Sequence, residues 1–149
     1  MGLQNHSFDF GTTGTTANSG CEAINFGTGS DLDERFCYWK GASRAGYIHT
    51  VYSLIDTPEL PKANYVLVYR DEQGRRHPLR IGRTQDKAAS LNLADIRRRA
   101  AQLGANEVHV HLISENSRDR ALVECDLRAG LFQSLASERQ LGEASLGLN

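Results

Sequence analysis

With 149 residues, 40% of them hydrophobic, and a net charge of -1, the chain is long enough for one domain with a real core, and its total charge favours neither nucleic acid nor membrane. No apolar run approaches ~18 residues, so no membrane-spanning helix is expected; residues 1–11 lack the basic start and apolar stretch of a secretory signal, and His6 stands where a myristoylation pattern needs Ser or Thr. Cys21, Cys37 and Cys125 are an odd set without short paired spacing, which argues against a disulfide framework and a Cys-rich zinc site and points to a reducing, cytoplasmic setting.

The charge is unevenly spread. Residues 1–35 sum to -4, residues 36–69 to +1, residues 70–104 to +5 and residues 105–149 to -3. A concentrated basic stretch sets up a local field that suits an anionic partner, because local potential governs encounter more than net charge does. A plain solvated face is the other reading of such a run.

Residues 1–30 are rich in Gly, Thr, Ser and Asn, with Gly/Thr/Ser runs at 11–16 and 27–30. So few aliphatic side chains cannot offset the entropy of ordering. Residues 1–35 are therefore expected as a loosely ordered segment that touches the domain only through Phe8, Phe10, Ile24 and Phe26. Residues 46–54 carry aromatic and β-branched side chains and predict a strand. Pro58 and Pro61 stop it, because proline cannot donate to a ladder. Residues 65–70 predict a second strand, residues 71–74 a turn in which Gly74 supplies the unusual dihedral, and residues 79–83 the returning arm of a hairpin. Alternation puts Tyr65, Leu67 and Tyr69 on one face of the first arm. On the second, Leu79 and Ile81 share a face opposite Arg80 and Gly82.

A helix follows over residues 92–103, with Asn92 as N-cap and Gly104 as the stop. Leu93, Ile96, Ala100 and Leu103 form its apolar stripe, which leaves Arg98 pointing outward and Arg97 and Arg99 on the flanks. Residues 107–113 predict a strand with Val108, Val110 and Leu112 on one face and His109 and His111 on the other. A last helix covers about residues 118–135, with residues 137–149 as a fraying tail. Ala121, Glu124, Leu131 and Leu135 line up along it, and Cys125 reads as a small core residue. The order strand, strand, strand, helix, strand, helix defines an α+β domain over residues 36–136, a small antiparallel sheet flanked by helices.

Glu124 carries the sharpest chemical question. A carboxylate in an apolar stripe needs a partner or a cation, and Arg128 at i+4 is the simple partner. His109 and His111 offer only two ligands at strand spacing, too few for a metal site by themselves; partly exposed strand histidines are the plainer reading. Tyr38, Trp39 and Tyr47 read as packing rather than as a base-stacking platform.

Tyr65 opens the hairpin, the run Arg80, Ile81, Gly82, Arg83 closes it, Arg97, Arg98 and Arg99 sit on the next helix, and Glu124 stands alone on the last. That succession resembles the GIY-YIG nuclease superfamily over about residues 60–135. The resemblance implies a short antiparallel sheet flanked by helices that cuts phosphodiester bonds of DNA or RNA with one divalent ion, Mg²⁺ or Mn²⁺. Carried over by motif, Tyr65 would help activate water, Arg83 and Arg99 would steady charge on the phosphate, and Glu124 would hold the metal. Arg80, Gly82, Arg97 and Arg98 would contact the nucleic-acid backbone, where Gly82 lets main chain and phosphate approach. The chain departs from the pattern at Ala63, where the first motif has glycine, at Arg80, where the second has tyrosine, and near Ala136, where an asparagine is often found. Two functions are expected: a divergent metal-dependent nuclease, or a catalytically inactive module of the same fold that binds nucleic acid or a protein partner.

Overall fold

The computed structural model describes the backbone of residues 21–23 and 32–146 and the side chains of residues 21–22 and 34–132. The Gly/Thr/Ser runs, Phe8, Phe10, Ile24, Phe26 and the side chains of Leu135 and Ala136 lie outside the described residues.

Six strands form one curled antiparallel sheet. They are β1 (Cys21–Ala23), β2 (Phe36–Lys40), β3 (Gly46–Ser53), β4 (Asn64–Arg70), β5 (Arg76–Arg83) and β6 (Glu107–His111), in the spatial order β1-β2-β3-β6-β4-β5. A short helix, α1 (Leu32–Arg35), precedes β2, and the two long helices are α2 (Ala89–Leu103) and α3 (Ser117–Leu146). The α+β architecture expected from the sequence is present.

β6 enters between β3 and β4 although it is the last strand in the chain. Every one of its residues is buried, because both faces of the sheet are covered there. On one face Ile96 and Ala100 of α2 pack with Tyr65, Leu67, Val108 and Val110. On the other Val123, Leu127 and Leu131 of α3 pack with Cys37, Trp39, Val66, Val68 and Ile81. Fully burying a large aliphatic side chain contributes about 1.5–3 kcal/mol, so each helix is held chiefly by its apolar contacts. The two long helices therefore lie on opposite sides of the sheet.

Within residues 1–35, expected as a loosely ordered segment, the described residues form β1, which pairs with β2 from Cys21↔Trp39 to Ala23↔Cys37, and α1. Several expectations are corrected. The first long helix starts at Ala89 with Ala88 as its N-cap. Asn92 instead sits in the first turn, accepts from the Gln85 amide at 2.9 Å and donates to the Gln85 carbonyl at 3.0 Å, so it ties down the loop before the helix. Gly104 does end that helix, at φ 77°. Leu79 packs on the α2 side while Ile81 packs on the α3 side, because a bulge at Leu67/Val68 slips the register by one residue. β6 stops at His111, leaving Leu112 and Ile113 exposed. The helix α3 continues to Leu146, through the expected tail. Its buried stripe is Val123, Leu127 and Leu131, so Glu124 lies on the flank and Cys125 is exposed. Among the described residues no helix is long and apolar enough to cross a membrane.

Candidate functional site

β5 is the last strand of the sheet, and α3 passes beside it. Glu124 projects from α3 toward the C-terminal end of β5, where its two oxygens are divided between two arginines. Arg128 Nη2 donates to Oε1 at 2.8 Å, and Arg83 Nε lies 3.2 Å from Oε2. The carboxylate side chain is 18% exposed and the guanidinium side chains are 40% and 56% exposed for Arg83 and Arg128. Arg128 also donates to the Ile81 carbonyl at 3.1 Å and Arg83 to the Ser117 carbonyl at 3.4 Å. The i,i+4 pairing expected for Glu124 is thus present and is extended by a second arginine from the sheet.

Tyr65 is 3% exposed and stands opposite Gly82 across the β4–β5 ladder. A Cβ on Gly82 would lie 2.6 Å from Tyr65 Cζ and Oη, so the ring lies against the glycine face. This is the α2 side of the sheet, opposite the side covered by α3. Arg80 is exposed on β5, and its side chain forms no hydrogen bond or ion pair with the described residues.

The arginine run on α2 divides. Arg97 donates to the carbonyls of Ile55 and Thr57 at 3.1 and 3.2 Å, which clips the helix to the segment after β3. Arg98 pairs with Asp95 at 3.4 Å, and Arg99 adds to the positive field around that carboxylate. The structure thus brings Arg83 to Glu124 and Tyr65 to Gly82. It puts Arg97, Arg98 and Arg99 on a helix packed against the other face from the one that carries Glu124.

A second polar assembly lies on the α3 side of the sheet. Glu107, His109 and His111 of β6 all face that way and are all buried, unlike the partly exposed histidines expected. Trp39, 0% exposed, donates its indole N–H to His109 Nδ1 at 2.9 Å. Cys37 Sγ lies 3.1 Å from the same nitrogen. An indole only donates, so Nδ1 is the acceptor and Nε2 carries the proton, which it gives to Glu107 Oε2 at 2.8 Å. Arg76 reaches across β4 to bond Glu107 at 3.0 Å, with Arg70 at 3.6 Å. Burial would raise the Glu107 carboxyl, but the His109 bond and the Arg76 charge outweigh it and hold it below its ordinary value. Burial pushes His109 down. His49 donates Nδ1–H to the Tyr47 carbonyl at 2.7 Å, its Nε2 has no partner among the described residues, and burial pushes it down to about 3.

Spacing along the chain concealed this assembly, because its members come from separate strands. The one visible signal was the His109/His111 alternation, which pointed both rings to a single face. Comparison with protein-family models, curated proteins and solved structures finds no match to this chain.

Proposed function

We propose that this chain is a GIY-YIG-like module that binds the phosphate backbone of nucleic acid along its β5 edge, with Glu124 acting as the counter-ion that organises Arg83 and Arg128. The carrying observation is the division of the Glu124 carboxylate: one oxygen to Arg128 at 2.8 Å, the other to Arg83 at 3.2 Å. Each guanidinium has five N–H donors, so both retain donors for phosphate oxygens after meeting Glu124. Arg80 is exposed on the same strand but shares the Gly82 side of the sheet, so it stands apart from Arg83 and Arg128. Arginine suits this work because its planar fork matches phosphate geometry and it stays charged.

This arrangement does not fit a resident Mg²⁺ or Mn²⁺ at Glu124. A divalent cation would have to displace two guanidinium groups of like charge, and Glu124 belongs to no group of three potential metal ligands among the described residues. Metal-dependent hydrolysis of DNA or RNA is the second reading. The observation in its favour is Tyr65 against Gly82, one residue from Arg83, which keeps the tyrosine and glycine of the resembled motifs in contact.

Fluorescently labelled single- and double-stranded DNA and RNA would separate the two. The binding reading expects affinity that falls steeply with salt, with Arg83→Ala and Arg128→Ala each weakening it roughly tenfold and flattening the salt slope by about one. It expects no cleavage when Mg²⁺ or Mn²⁺ is added. Metal-dependent cutting that Glu124→Ala abolishes would establish hydrolysis instead. Absence of binding to every probe at low salt would remove both readings.

A further inference from the structure

We propose that Cys21, Cys37 and His109 form a binding site for a thiophilic metal ion, zinc in the first instance, at the edge of the sheet under α3. The ligand atoms of these three residues all lie within 4.8 Å of one another. They come from β1, β2 and β6, and the sheet pairing brings them together: Cys21 stands opposite Trp39, two positions along β2 from Cys37. The thiolate and imidazole donors of a tetrahedral zinc site sit about 2.0–2.3 Å from the ion, so neighbouring donor atoms are separated by roughly 3.3–3.8 Å. The 3.1 Å between Cys37 Sγ and His109 Nδ1 is close to that spacing.

The surroundings of His109 are those of a metal-ligating imidazole. Its Nε2–H is committed to the Glu107 carboxylate at 2.8 Å, which leaves Nδ1 as the nitrogen with a lone pair on the side of the two thiols. A carboxylate behind the imidazole fixes the tautomer and raises ligand basicity, and Arg76 in turn holds that carboxylate at 3.0 Å. On binding, Cys21 and Cys37 each release a proton to solvent while His109 keeps its own. A divalent ion with two thiolates and a neutral imidazole carries no net charge, which suits a buried location. On binding, the ion takes the Nδ1 lone pair in place of the indole N–H of Trp39, which now donates to it at 2.9 Å. Cys21 is half-buried on the outermost strand and gives the ion a path inward. The fourth coordination position is left to water or an added ligand, as in open three-ligand sites.

A disulfide is the competing use of two neighbouring thiols. The diagonal register opposes it, because diagonal partners in an antiparallel pair have Cα atoms about 7–8 Å apart, beyond the usual span of a disulfide. A bridging ion spans the gap without moving either strand.

The test uses the full chain, reduced and stripped with a chelator. Zn²⁺ titrated against a chromophoric chelator should be taken up at one ion per chain. The fluorescence of Trp39, the single tryptophan, should change in step. Co²⁺ should give the absorption of a tetrahedral thiolate site. Cys21→Ser, at the half-buried edge, should keep the fold by circular dichroism and lose zinc affinity by more than about tenfold, and Glu107→Gln should lose about 10–100-fold through the imidazole. Cys37→Ser should lose binding as well. Zinc uptake that is absent in the folded, reduced protein, or unchanged in Cys21→Ser, would overturn the site. So would a Cys21–Cys37 disulfide formed in air by protein that takes up no metal when reduced, which would make the pair a redox couple.

Discussion

Trp39 and His109, 70 residues apart in the chain, meet through one indole-to-imidazole hydrogen bond of 2.9 Å. The bond sets the imidazole tautomer and thereby the direction in which His109 donates, toward Glu107. A folding decision about a buried aromatic residue thus fixes the protonation pattern of the polar face under α3.

Acid is expected to unfold the protein from that face. Burial lowers His109 and pushes His49 down to about 3 in the folded state. An unfolded chain takes up these protons below about pH 6.5 while the folded chain refuses them. The stabilisation is therefore fully present above about 6.5 and is lost as pH falls toward the folded values, at about 1.4 kcal/mol per pH unit for each histidine. Glu107 and Asp126, whose carboxyls are held below the usual range, add a loss of the same sign only at lower pH. Urea unfolding followed from about pH 7 to pH 4 should show the midpoint dropping, and His49→Phe should flatten the drop. An equal slope in that variant would clear His49 of the role.

Gly82 is expected to resist substitution because of Tyr65. A Cβ would come within 2.6 Å of the ring carbon and hydroxyl, and the ring is packed among Leu67, Ile96 and Ala100 and has no room to retreat. Overpacking of this kind costs about 1–3 kcal/mol. Gly82→Ala should destabilise by that much, and less in a Tyr65→Leu background, because the two residues touch and their effects are not additive. Additive losses in a double-mutant cycle would show that the glycine is needed for some other reason.

Asp126 anchors the β2–β3 turn to α3. Its carboxylate accepts from the Ser43 amide at 2.8 Å, the Ser43 hydroxyl at 2.5 Å and the Tyr47 hydroxyl at 2.7 Å. A Cβ on Gly41 would lie 2.0 Å from the same carboxylate. Asp126→Ala should cost about 1–3 kcal/mol, the range for losing hydrogen bonds to a charged acceptor at a half-buried site. Gly41→Ala should be costly alone and nearly neutral once Asp126 is alanine. A full cost in both backgrounds would mean that the backbone of the turn, not the carboxylate, demands glycine.

The sequence showed the hairpin of β4 and β5 because alternation and a glycine turn are local signals. Helix α2 was visible from its apolar stripe and from Gly104. The sequence pattern puts the face of α3 one position out of phase, since Ala121, Glu124 and Leu131 suggest a stripe that Val123, Leu127 and Leu131 occupy. A single residue of phase separates Glu124 in the core from Glu124 at the flank beside Arg83. Leu79 lies on the face opposite to the one alternation predicts, because a bulge changes the period-2 pattern without a mark in the residues around it. The Cys21, Cys37 and His109 grouping depends on β6 entering beside β3, a long-range pairing that no short window of residues encodes.

Arg76 and Glu107 supply the test of how far that polar face depends on charge. Both are 8% exposed and they meet at 3.0 Å. Arg76 also donates to the Glu34 carbonyl at 3.2 Å, which ties α1 to the sheet. Removing one member of a buried pair costs about 3–5 kcal/mol, because the other charge is left without compensation, whereas replacing both is often far less harmful. Arg70, 3.6 Å from the other Glu107 oxygen, will soften the loss. Arg76→Met should therefore fall at the low end of that range, and Arg76→Met with Glu107→Gln should recover most of it. The readout is the urea midpoint of each single variant and of the double. If the double variant is as unstable as Arg76→Met, the stabilisation comes from the packing of the arginine stem and its bond to Glu34, and the carboxylate behind His109 is held by its neighbours rather than by Arg76.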